Sequence, residues 1–91
     1  MEERFLQELS RNREKAEKAG VRIRPIEDMK AAHRCLSGHR ESDGFYQLAA
    51  QGRLELTLEA LAVKKAYTAL FSDEEANTAL TRLLDAGYRF L

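Results

Sequence analysis

Apolar positions recur along most of this chain at the spacing of amphipathic helices. Over residues 2–19, Phe5, Leu6, Leu9 and Ala16 gather on one side of a helix. Arg13 interrupts that side, although its long stem can cover apolar surface while its head reaches water. Glu14 precedes Lys18 by four residues, the favourable order for a helical ion pair. Gly20 can adopt the left-handed backbone that closes a helix. The next segment, Val21-Arg22-Ile23-Arg24-Pro25, alternates apolar and basic residues and reads as extended. Pro25 disfavours helical backbone at Arg24, and Val21 and Ile23 are expected to plug the core.

Helical spacing returns over residues 26–37, where Ile26, Met29, Ala32, His33 and Leu36 share a face and Gly38 marks the end. His39 to Gly44 is a polar loop, from which Ser42 or Asp43 can cap a third helix near residues 44–51 carrying Phe45, Tyr46, Leu48 and Ala49. A fourth helix is expected over residues 57–71, with Thr57 as its cap. Leu58, Leu61, Ala62, Val63, Ala66, Tyr67, Ala69, Leu70 and Phe71 distribute around most of its circumference, the pattern of a buried centre. Leu54 and Leu56 are expected to pack beneath it. Ser72 with Glu75 three residues on is a capping box, and the helix it opens offers Ala76, Leu80, Leu83 and Leu84 to the core before Gly87 ends it. The expected fold is all-α. It is one domain over residues 1–91, a small bundle of four to five short helices around a central apolar helix at about 57–71, with one extended connector at 21–25.

Composition supports a folded chain, since 44% of the 91 residues are hydrophobic and 33% charged. The single cysteine, Cys35, excludes an internal disulfide framework and suits a reducing compartment. The N-terminal Met-Glu-Glu-Arg leads into no apolar signal region, and the longest apolar stretch, Ala60 to Val63, is far too short to span a bilayer. A cytoplasmic protein without a membrane partner is the expectation.

Charge adds more. The net charge is zero, yet residues 1–40 carry ten Lys/Arg against seven Asp/Glu, and residues 41–91 carry five against eight, leaving halves of +3 and −3. Arg4, Arg11, Lys15 and Lys18 follow one another at seven, four and three residues, so they form a single stripe on the first helix. With Arg22 and Arg24 they are the candidate partner-binding residues, facing another protein with an acidic surface. The alternative is nucleic acid held by residues 11–40, where Lys30, Arg34 and Arg40 raise the local excess to nine cations against four acids. Tyr88, Phe90 and Leu91 form an apolar C-terminal edge that should either fold back on the core or meet a partner, a second candidate interface that could join two copies as a homodimer.

Chemistry-bearing clusters are sparse. His33, Cys35 and His39 are the clustered soft ligands, one short of a structural zinc set and without a second Cys-x-x-Cys or His-x-x-His pair. A Cys–His nucleophile would need a third, orienting group, and neither Asp28 nor Glu41 is singled out by spacing. The glycines fit helix ends and turns rather than a phosphate loop. No catalytic residue, metal or cofactor is expected. Leu56-Thr57-Leu58-Glu59-Ala60-Leu61-Ala62, followed by Ser72 to Gly87, resembles the second and third helices of a winged-helix or helix-turn-helix domain. That resemblance implies nucleic-acid binding, but its recognition helix would open with Asp73, Glu74 and Glu75, which share the sign of phosphate. An ordinary helical hairpin accounts for the same residues.

Overall fold

The computed structural model describes residues 1–38 and 40–88, and these form five α-helices, two 3₁₀ segments and no strand. Helix α1, Glu2–Lys18, buries Phe5, Leu9 and Ala16, with Leu6 half-buried beside them. Its C-terminus closes through two bonds, from Gly20 N–H to the Glu17 carbonyl and from Val21 N–H to the Ala16 carbonyl. Gly20 holds φ at 87°, a left-handed value that lets the chain turn and drives Val21 onto Ala16. The connector that follows is extended, as expected, with Val21 buried and Ile23 partly so. Arg13 pins it, donating from Nε to the Ile23 carbonyl at 2.8 Å. Arg13 also takes the one ion pair within α1, to Glu17 at 3.2 Å, and the expected Glu14–Lys18 pair does not form.

Helix α2, Met29–Ser37, starts three residues later than its apolar pattern suggested. Asp28 caps it by accepting from Ala31 N–H at 2.8 Å, leaving Ile26 in the connector. Gly38 leaves the helix with extended rather than left-handed backbone. Helix α3, Phe45–Ala50, has neither of its expected caps. Ser42 is engaged by Glu59, and the Asp43 carboxylate accepts from Arg24 N–H at 2.8 Å. Gly44 takes the cap position instead, with φ at 78°. A Cβ there would lie 2.8 Å from Ile23 Cγ1, so glycine is required both for the left-handed backbone and for the connector to pass. Tyr46 faces solvent, not the core.

The central helix is the largest departure. Thr57 caps as expected, accepting from Ala60 N–H at 3.1 Å. Helix α4, however, is only Leu58–Ala62, all five residues buried. The chain extends at Lys64 and re-enters a 3₁₀ segment, Lys65–Leu70. One continuous helix would have sent Tyr67 and Phe71 onward along its axis. The break returns them to α1, where both rings meet Phe5 edge-on at 5.2 Å. Ala66 and Ala69 are left exposed. The 3₁₀ segment Leu54–Leu56 lies beneath α4 with Leu54 and Leu56 buried, as expected.

Helix α5, Asp73–Asp85, begins with the full capping box between Ser72 and Glu75 and packs on α4 and α2. Its core residues are Ala79 and Leu83. Leu80 and Leu84, assigned to the core by spacing, are exposed, because the α5 face toward α2 and α4 is narrower than its apolar stripe. Tyr88, half-buried, folds back beside Phe45, Leu54, Ala60 and Leu83. Phe90 and Leu91, the rest of that expected edge, lie outside the described residues, as does His39. No helix of the described residues is long and apolar enough to cross a membrane.

Candidate functional site

The stripe on α1 appears as the spacing predicts. Arg4, Arg11, Lys15 and Lys18 are exposed on a side of the helix away from Phe5, Leu9 and Ala16, and Arg22 and Arg24 continue it, exposed, along the connector. Among the described residues none of these six cations takes part in an ion pair, whereas Arg13, Arg53, Lys64 and Arg82 all do. The α1 carboxylates are in part drawn away from the stripe. Glu17 is held by Arg13, and Glu8 by Lys64 Nζ at 3.0 Å and the Tyr67 hydroxyl at 3.1 Å. Burial alone would raise the Glu8 carboxyl pKa. The hydrogen bonds from Lys64 and Tyr67, with the charges of Lys64 and Arg4, outweigh it and hold the group below its ordinary value.

A cleft of about 720 Å³ opens between α1, the connector, α2 and the loop that follows α2. Ligand sites commonly occupy a few hundred to a thousand Å³. The floor is apolar, built by Leu9, Ile23, Ile26, Leu56 and Leu58. Arg13, Arg24, Arg34 and Arg40 stand around it against two carboxylates, Glu41 and Asp43. Both acids are already engaged, Glu41 by the Tyr46 hydroxyl and Asp43 by Arg24 N–H. The side chains of Arg24, Arg34 and Arg40 have no hydrogen bond or ion pair among the described residues.

One wall of this cleft is braced from behind. Glu59, fully buried, accepts from Ser42 N–H at 2.8 Å, from Ser42 Oγ at 2.5 Å and from Arg82 Nη1 at 3.1 Å. Arg82 also donates to the Cys35 carbonyl at 3.2 Å and the Gly38 carbonyl at 2.9 Å. One buried ion pair thereby satisfies the end of α2 and fixes the loop to α4 and α5. By local position Glu59 is only an acid in the first turn of α4, favourable to the helix dipole. The available signal was a carboxylate inside an otherwise apolar run, which should have a buried partner.

The two described soft ligands, His33 and Cys35, have different surroundings. His33 Nδ1 lies 2.6 Å from Glu75 Oε2, and its ring stands edge-on to Phe71 at 5.2 Å. Burial raises the Glu75 pKa, but hydrogen bonds from Ser72 N–H and His33 prevail and lower it. Cys35 lies on the cleft wall, where burial, then the charge of Glu59, pushes its thiol pKa up, away from nucleophilic character. Asp28 is occupied in capping. No three His, Cys, Asp or Glu side chains converge among the described residues. No known protein family, no curated protein and no solved structure matches the chain.

Proposed function

We propose that this protein is a small, non-catalytic cytoplasmic module that binds another protein with an acidic surface, using Arg4, Arg11, Lys15, Lys18, Arg22 and Arg24. The observation that carries the reading is their arrangement: these six cations are exposed in a row along one side of α1 and its connector and, among the described residues, take part in no ion pair. Uncompensated charges on one face raise the local potential and steer an oppositely charged partner. Two acids of α1, Glu8 and Glu17, are engaged by Lys64 and Arg13, which leaves Glu14 as the exposed carboxylate beside the stripe.

Nucleic acid is the competing polyanion, and the test separates the two. Labelled poly-glutamate and a random-sequence DNA duplex are titrated with the protein over a range of salt, with solution mass recorded. The reading expects salt-sensitive binding of poly-glutamate that is lost on reversing Arg11, Lys15 and Lys18 to Glu. Tighter binding of the duplex, weakening steeply with salt, transfers the assignment to nucleic acid. Binding of neither at low salt overturns both readings. The acidic opening of α5, Asp73, Glu74 and Glu75, weighs against that helix entering a DNA groove.

A further inference from the structure

We infer that the cleft between α1, the connector and α2 is the receptor site for a short acidic peptide segment carrying a bulky apolar side chain. The inference rests on the binding-module reading above and names the partner's chemistry.

The charge pattern of the cleft is the first ground. An apolar floor of Leu9, Ile26, Leu56 and Leu58 is overlooked by Arg24, Arg34 and Arg40, all three exposed and with side chains unpaired among the described residues. The two acids on the same rim keep their charge while accepting from the Tyr46 hydroxyl and the Arg24 amide, and the arginines outnumber them. A complementary occupant presents carboxylates at its flanks and an apolar group at its centre. Arginine forks suit carboxylates, which they bind through two parallel hydrogen bonds.

Pre-organisation is the second ground. The wall carrying Arg40, Glu41 and Ser42 is tied to buried Glu59, and the wall ending in Gly38 is tied to Arg82. The connector wall is pinned by Arg13 on the Ile23 carbonyl and by Asp43 on Arg24 N–H. A cleft held on three sides costs little ordering when filled.

Extent decides between a peptide and a small amphiphile. Arg22 and Lys18 are exposed close to Arg24 in sequence but are not among the residues lining the cleft. An occupant that meets both sets has to be longer than the cleft, as a polypeptide segment is.

The experiment uses the full chain and a fluorescent peptide of alternating glutamate and leucine. Its controls are the same peptide with serine for leucine and with lysine for glutamate. Three variants are compared, each checked for wild-type unfolding behaviour: Arg34→Glu with Arg40→Glu, which reverses the rim; Ala31→Trp, which fills the cleft without changing charge; and Arg4→Glu with Arg11→Glu, remote from it. The expected result is binding of the glutamate–leucine peptide alone, weakened about tenfold or more by the first two variants and less by the third. Equal binding of the serine peptide, or full affinity in both folded cleft variants, overturns the cleft assignment. If affinity falls only in the α1 variant, the cleft assignment fails and the binding-module reading stands. If the peptide binds nowhere at low salt, the cleft assignment fails, and the poly-glutamate titration decides the wider reading independently.

Discussion

Two ionic regions of this protein handle charge in opposite ways. Along α1 and the connector, Arg4, Arg11, Lys15, Lys18, Arg22 and Arg24 stand in solvent with no ion pair among the described residues. At the junction of α2, α4 and α5, Arg82 and Glu59 are shut away from water, their side chains 9% and 0% exposed, and between them they bind three backbone groups and the Ser42 hydroxyl. Exposed charge is weakly coupled to the fold because water screens it and supplies hydrogen bonds. Buried charge is tightly coupled, because each polar atom removed from water needs a replacement partner. The first region is therefore free to serve a partner, and the second is committed to architecture.

The comparison breaks most visibly at the buried pair. Arg82→Met leaves Glu59 buried without its counter-charge and releases the loop after α2. The expected loss is about 3–5 kcal/mol in chemical unfolding. A loss below about 1 kcal/mol would mean that Glu59 finds water or another partner and that the pair does not hold the loop.

A second contrast lies within α5. Leu83→Ala should cost about 2–5 kcal/mol as a large-to-small change in a fully buried site. Leu84→Ala, at a residue 55% exposed, should shift stability by no more than about 0.5 kcal/mol. Equal effects would place Leu84 in an interface in solution, which a change in molecular mass would reveal.

The capping box sharpens the role of charge at the boundary between these extremes. Ser72→Ala should cost about 1 kcal/mol. Glu75, whose folded-state pKa is lowered, contributes stability that is fully present above its unfolded value and is lost as pH falls through the folded one. Acidification below the ordinary carboxylate range should therefore lower the unfolding midpoint, and Glu75→Gln should flatten that acid limb. An unchanged limb would place the acid sensitivity elsewhere, Glu8 being the next candidate.

The smallest stability effect is expected on α1. Reversing Arg11, Lys15 and Lys18 to Glu should change unfolding by about 0.5 kcal/mol or less for each residue, since no ion pair is broken. The same variant should lose poly-glutamate binding. A large stability loss would show that these cations serve the fold after all.

Much of the fold was legible from spacing. α1, the connector, the Thr57 cap and the Ser72–Glu75 box were read from local pattern, and all appear. Local signals suffice there because a cap or a helix face is decided within a few residues. Elements failed where distant residues compete. Ser42 and Asp43 are good caps in isolation, but Glu59 and the Arg24 amide claim them first. The run from 57 to 71 reads as one helix, but Phe5 rewards a break that brings Tyr67 and Phe71 back to α1. The α1 face was legible as a charge pattern. The cleft was not, since its walls come from residues near positions 9, 24, 34, 40 and 57.

By itself, then, the amino-acid order determined an all-α chain, the start of its last helix and a cationic first helix, because periodicity and capping act over one or two turns. Tertiary structure alone decided which charges are buried, where the central helix stops, and that four arginines surround one apolar cleft. Those outcomes depend on which distant groups meet out of water, where an unpaired polar atom is costly and a well-placed ring is stabilising.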